Sequence, residues 1–136
     1  MHVPRRLFEK LAGKAVKELP EYFKQKMENV IVTVRYTPDR KQKKRFGKNL
    51  LGLYEGIPLA ERGQSYSGAM PDKITVFQRN IESSCSGRSY NSRHLWRRRR
   101  CSGKTDIKKE IRHVLMHEIA HHFGITDERL KQEGIY

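Results

Sequence analysis

The chain has 136 residues and a formal charge of +14, with 29 Lys and Arg against 15 Asp and Glu. This length is typical of one domain, so we expect a single domain over residues 1–136. Hydrophobic residues make up 36% of the chain, which is enough for a modest core and excludes a fully disordered protein.

The elements follow one another in an order typical of the α+β class. Apolar periodicity, β-branched runs and turn-forming residues define them. In chain order we predict a helix over 5–19, broken at Pro20 and resuming over 21–27, a strand over 29–36, a basic turn or loop over 37–48, a short strand over 49–56, a loop over 57–71, a strand over 73–80, a second loop over 83–104, a helix over 105–123, and a short turn or helix over 126–132.

The positive charge is concentrated in two segments. Residues 35–48 carry +6 and residues 86–104 carry +7, so the rest of the chain is nearly neutral. Such basic segments indicate an anionic partner, such as nucleic acid or the ribosome. The run Arg97, Arg98, Arg99 and Arg100 is a candidate for contacts with nucleic-acid phosphates, and the alternative is a solvated basic loop.

Nothing in the sequence predicts a membrane partner or export. The longest strongly apolar stretch, about 30–34, is far shorter than the roughly 20 residues of a membrane-spanning helix. The first residues contain no apolar core of a secretory signal, so we expect a cytoplasmic location. Cys85 and Cys101 bracket the second basic segment; they are expected to be free thiols in a reducing compartment, although a disulfide would close that loop.

The last long helix carries the residues with the clearest chemistry, within HEIAHHFGITD at 117–127. His117 and His121 are four residues apart and therefore lie on one face of the helix, where two imidazoles can bind one metal ion. Such a pair is typical of a zinc site with a water in an open position. Glu118 can reach that water as a general base without binding the metal.

Glu118 also lies in the middle of the apolar face of this helix. Ile111, Val114 and Leu115 surround it on a helical projection. Burial of a carboxylate is costly unless it is paired or lies near a metal, so a catalytic role accounts for Glu118 better than packing does.

The residues after His121 extend the motif to HExxHxxGxxD. Gly124 can adopt a left-handed conformation that ends the helix and turns the chain back. Asp127 can then offer a carboxylate to the same ion as a third ligand. The alternative is that Gly124 is an ordinary helix-terminating glycine and Asp127 caps the next helix.

These residues resemble the small bacterial zincin-like metallopeptidases that carry HExxHxxGxxD. The matching segments are LYEGIPLAERGQSYSGAMPDKITVFQRNIE at 53–82 and IRHVLMHEIAHHFGITDERL at 111–130. The resemblance implies a compact zincin-like α+β domain, with a small mixed sheet packed on an N-terminal helix and the metal helix. It also implies one Zn²⁺ on His117, His121 and Asp127, and hydrolysis of a peptide or protein substrate with Glu118 as base.

Two departures from wider zincin patterns are visible. No methionine follows Asp127, so the chain lacks the methionine turn of the metzincins and resembles a minimal zincin. The segment 83–104 looks like an insertion, where the family would have a short acidic link into the metal helix.

Two further assignments leave alternatives open. The strand containing Ile74, Thr75, Val76 and Phe77 is a candidate edge strand that binds an extended peptide through its main chain, and the alternative is an internal strand with no free edge. His122 projects between Ile111 and Leu115 and is expected to be a packed core histidine rather than a ligand.

Two other functions compete with a zinc metallopeptidase. One is a zinc hydrolase acting on nucleic acid, although Glu118 and Asp127 favour the peptidase. The other is a catalytically idle zincin fold that binds RNA or the ribosome through 35–48 and 86–104.

Overall fold

The computed structural model describes residues 2–56, 71–85 and 104–132. They form six helices and three strands, which confirms the α+β class. In chain order the elements are α1 (Arg5–Lys17), α2 (Glu21–Lys26), β1 (Val30–Arg35), α3 (Arg40–Phe46), β2 (Gly52–Glu55), β3 (Asp72–Phe77), α4 (Gln78–Cys85), α5 (Lys104–His122) and α6 (Asp127–Gln132).

The three strands form one mixed sheet in the order β1-β3-β2. The central strand, β3, is parallel to β1 and antiparallel to β2. This arrangement contradicts the prediction of a peptide-binding edge strand at Ile74, Thr75, Val76 and Phe77, because both edges of β3 are already paired. All four residues are buried. Within the described sheet, the open edges belong to β1 and β2.

Two helices from opposite ends of the chain make the main helical contact. The amphipathic helix α1 packs against α5, and α5 also contacts β2 and β3. Beside this contact, Lys108 Nζ lies 2.7 Å from the Glu18 carboxylate. The packing buries apolar side chains of both helices, which include Phe8, Leu11, Ala12, Ala15, Ile107, Ile111, Val114, Leu115 and Ile119. The sheet and α5 therefore hold the metal motif on a rigid support.

The first basic segment is not the loop that was predicted, because most of it forms the helix α3. Asp39 caps this helix: its carboxylate accepts a hydrogen bond from Gln42 N, and its own N–H donates to Gln42 Oε1, at 2.8 and 2.9 Å. This reciprocal capping box stabilises a helix start without any apolar burial. Indeed, α3 buries no residue and ends at Gly47, which has a φ of +92°.

The strand predicted over 73–80 ends at Phe77, where the chain passes directly into α4. Two polar side chains of α4 are buried because they bind the start of the chain. Gln78 Nε2 donates to the Val3 carbonyl at 2.8 Å, and Val3 N–H donates to Glu82 Oε2 at 3.2 Å. The segment before α1 is thereby attached to the element that follows the central strand.

Cys85 ends α4 and is disulfide-bonded, which contradicts the prediction of free thiols. Its sulfur lies 3.9 Å from the carbonyl oxygen of Asp106 in the first turn of α5. The first turn of α5 is therefore close to Cys85 in space. Cys101, the other cysteine of the sequence, precedes α5 by three positions and lies outside the described residues.

Candidate metal centre

The helix α5 presents the metal motif at the rim of the core. Its apolar residues anchor one face, with Ile111, Leu115 and Ile119 fully buried. His117 and Glu118 are half-buried beside that face, and His121 is exposed. Because α5 is held on several sides, the positions of these three side chains are set by the helix rather than by a loop.

The two histidines converge on one point. His117 Nε2 and His121 Nε2 lie 2.9 Å apart, and the ring planes are inclined at 80°. Two imidazoles bound to one tetrahedral zinc at 2.0–2.1 Å would have these nitrogens about 3.3 Å apart. The pair thus fits a shared metal ion after a shift of a few tenths of an ångström. The donor set, two neutral imidazoles at helical spacing, is also one that zinc prefers.

Glu118 has the environment of a general base. Burial raises the pKa of its carboxyl to about 7, and a hydrogen bond from the backbone N–H of Tyr54 opposes that shift. A pKa near 7 suits a group that must both accept and release a proton. A cation held by the neighbouring histidines would favour the ionised form and lower this pKa. The apolar setting expected for Glu118 from the sequence is therefore seen.

The strand β2 passes very close to Glu118, and Gly52 allows this approach. A β-carbon added to Gly52 would lie 2.7 Å from Val114 Cγ1 and 3.3 Å from Glu118 Cγ. Neither Gly52 nor Tyr54 was singled out from the sequence. The glycine inside the short apolar run NLLGLYEG was a usable signal, since a strand glycine often marks a close backbone approach.

We expect Gly52→Ala to destabilise the fold by about 1–3 kcal/mol, because the new methyl group must displace β2 or Val114. The measurement is the free energy of unfolding in urea. Gly13→Ala is the matched control: Gly13 lies within α1, with no atom within 4 Å of an added β-carbon. There alanine should stabilise the helix by about 0.5–1 kcal/mol. Equal effects at the two positions would contradict the close approach.

Tyr54 connects β2 to both the metal helix and the central strand. Its ring stacks on His122 with centroids 3.8 Å apart and planes inclined at 14°. Its hydroxyl donates to Asp72 Oδ2 at 2.8 Å. The expectation that His122 is a core histidine is therefore wrong: His122 is exposed and covers Tyr54 at the surface. Its neighbour Phe123 is also 44% exposed.

The end of α5 turns the chain back as the motif predicts. Gly124 has a φ of +66°, Gly124 N–H donates to His121 O at 3.3 Å, and Ile125 N–H donates to Ala120 O at 2.8 Å. This pair of bonds is the Schellman motif of a glycine-terminated helix. Ile125 then packs against the core and holds the turn in place.

The cap of the next helix is Thr126 rather than Asp127. Thr126 Oγ1 accepts a hydrogen bond from Arg129 N at 3.2 Å. Asp127 is the first residue of α6. Its side chain is not among those described, and the described side chains contain no group of three His, Cys, Asp or Glu that could hold a metal. Thr126, and not Asp127, therefore supplies the N-terminal cap of α6.

Most of the second basic segment falls outside the part of the chain that the structure describes. The predicted nucleic-acid contacts Arg97, Arg98, Arg99 and Arg100 lie outside the described residues. In the described part of the chain, no helix is long and apolar enough to span a membrane.

The fold and the paired histidines are those of an α+β protein that carries a metal-binding motif on one helix. A model of the zincin-like metallopeptidase family matches residues 27–135, which is well over half of the chain. The chain therefore belongs to the zincin-like metallopeptidases, as its motif residues indicated. A search of curated proteins found no significant match. The family match does not support a nucleic-acid partner.

Proposed function

We propose that the protein is a zinc-dependent peptidase, with one Zn²⁺ on His117, His121 and Asp127 and with Glu118 as general base. The observation that carries this proposal is the 2.9 Å approach of the two Nε2 atoms on the turn of α5 that also carries Glu118. Zinc bound there would supply a Lewis acid for the peptide carbonyl and would lower the pKa of a bound water.

Glu118 performs the proton transfers in this proposal. Its carboxylate accepts a proton from the attacking water and later delivers it to the leaving nitrogen of the peptide. The Tyr54 N–H orients the carboxylate, and burial opposes the lowering of its pKa by a bound cation, so that the group can both accept and release a proton. The apolar side chains of α5 beside it partly bury this carboxylate.

The main chain of β2 is the proposed support for an extended substrate. Phe77 N–H donates to Leu51 O, so residues 51, 53 and 55 pair with β3. In an antiparallel ladder the alternating residues, Gly52 and Tyr54, direct their main-chain groups away from the partner strand. A peptide laid along this edge would meet these outward-directed main-chain groups.

We also propose that the whole chain is one domain. The helix α1 precedes the region matched to the family, yet it packs directly on α5. Removal of residues 1–19 would expose the apolar face of α5 that Phe8 and Leu11 cover.

The test of the proposed activity is a peptide-library digest by the full chain, analysed by mass spectrometry. The zinc-loaded protein should cleave peptides, the protein stripped with a chelator should not, and added zinc should restore cleavage. A zinc-loaded, folded protein that cuts no peptide would contradict the proposal.

A further inference from the structure

A second site lies at the end of the sheet where β1 and β3 end and β2 begins. It is a cavity of about 410 Å³ between α3, α4 and the segment that leads into β2. Its lining includes Lys43, Lys48, Arg79, Asn80 and Ser83. Its volume is in the range of cavities that bind small ligands or single side chains.

The cavity is strongly cationic. Lys43 and Lys48 come from the first basic segment and Arg79 from α4, and no described residue of the lining is acidic. The described part of the structure records no ion pair for any of the three. Glu110 accepts a hydrogen bond from the lining residue Ser84 at 3.4 Å and is not itself part of the lining. Three uncompensated cations around a concave surface attract anions.

The walls of the cavity are held by hydrogen bonds to main-chain carbonyl groups. Asn80 Nδ2 donates to the carbonyl oxygens of Lys48 and Leu50, at 3.0 and 2.7 Å. Arg79 N–H donates to the Tyr36 carbonyl at 3.0 Å. These bonds tie α4 to the end of β1 and to the segment before β2, so Lys48 and Arg79 project from a fixed frame.

The cavity adjoins the metal centre through β2. Leu51 lines the cavity, and the next residue, Gly52, lies against Glu118. Since a strand advances about 3.3 Å per residue, a peptide laid along β2 reaches the cavity within a few residues of the bond that faces Glu118.

We propose that this cavity binds an acidic side chain of the peptide or protein that is cleaved at the metal centre. The protein then selects substrates with Asp or Glu a few residues from the scissile bond. This inference rests on the proposed peptidase function. An acidic peptide fits better than nucleic acid, because no described residue of the lining is aromatic and the cavity lacks the rings on which successive bases stack.

The test measures binding first, without reliance on catalysis. Fluorescence anisotropy is recorded for a labelled Asp-rich peptide, its Asn-rich counterpart and an oligothymidylate of equal charge, at fixed ionic strength. Lys43→Glu and Arg79→Glu are the test variants. Lys44→Glu is the matched control, since it makes the same charge change on α3 at an exposed position outside the lining.

The test variants should weaken binding of the Asp-rich peptide roughly five- to tenfold, and the control by less than about twofold. The Asn-rich peptide should bind weakly to every form. Equal losses in all three variants would mean attraction to net charge alone and would overturn the proposal. A larger selective loss for the oligothymidylate than for the peptide would assign the cavity to nucleic acid and would also overturn it.

A second measurement connects the cavity to cleavage. In the zinc-loaded protein, Lys43→Glu should raise KM for acidic substrates roughly five- to tenfold and leave kcat, and the KM of neutral substrates, unchanged. If the wild type binds the Asp-rich peptide as expected but cleaves nothing, the peptidase function fails while the cavity stands as an acidic-peptide site. A KM that is unchanged in Lys43→Glu would overturn the role in substrate selection.

Discussion

Replacement of Glu118 by glutamine is expected to abolish peptide cleavage and to leave zinc bound. Glutamine has nearly the same shape, and its carbonyl can accept the hydrogen bond from Tyr54 N–H that the carboxylate accepts. It cannot accept a proton from water, so the loss in kcat should be at least about a thousandfold, within the range for removal of a general base. The measurement is kcat of the zinc-loaded variant beside that of the wild type.

The matched control for this variant is Glu110→Gln. Glu110 lies on the same helix, two turns before Glu118, and contacts Ser84 rather than the histidine pair. It should retain kcat within a few-fold. Cleavage by Glu118→Gln within tenfold of the wild-type rate would exclude Glu118 as the base.

Replacement of His117 by alanine is expected to remove the metal. The remaining imidazole of His121 is exposed. Loss of a residue that only contacts a metal ligand typically weakens metal binding about 10- to 100-fold, so loss of a ligand itself should weaken zinc binding at least a hundredfold. Stability should change little, because His117 is only half-buried at the rim of the core. The measurement is the zinc Kd, obtained by competition with a chromophoric chelator.

His122→Ala controls for a general effect of removing a histidine from α5. His122 is next to His121 but stacks on Tyr54, so this variant should keep its zinc affinity within a few-fold. If His122→Ala lost zinc and His117→Ala kept it, the ligand assignment would be wrong.

The metal helix was predictable from the sequence because its signals are local and agree with one another. Apolar periodicity, the HExxH spacing and Gly124 all point to one helix with a defined end, and the structure has that helix at Lys104–His122. The apolar setting of Glu118 followed from the same periodicity. The third ligand, Asp127, stays a prediction.

The order of the strands was not predictable, because pairing depends on contacts between distant segments. A run such as KITVF reads the same at an edge or in the centre of a sheet. The partners that make β3 central, β1 and β2, lie elsewhere in the chain. The role of Gly52 was missed for the same reason, because glycine is needed there only where α5 packs closely against β2.

Local capping chemistry explains the error over α3. The basic composition and Pro38 indicated a loop, but Asp39 and Gln42 form a capping box that starts a helix without burial. Part of the charge of this segment lies at the cavity, because Lys43 of α3 and Arg79 of α4 both line it. Part of the +14 of the chain thus lines a cavity that adjoins β2.

The most direct test of the proposed metal centre is the metal content and ligand environment of the purified full chain. Elemental analysis should find about one zinc per chain, and X-ray absorption should find two imidazole nitrogens and one carboxylate at about 2.0–2.2 Å, without sulfur. A folded wild-type protein that binds no zinc under these conditions, or binds it through sulfur, would contradict the proposed centre.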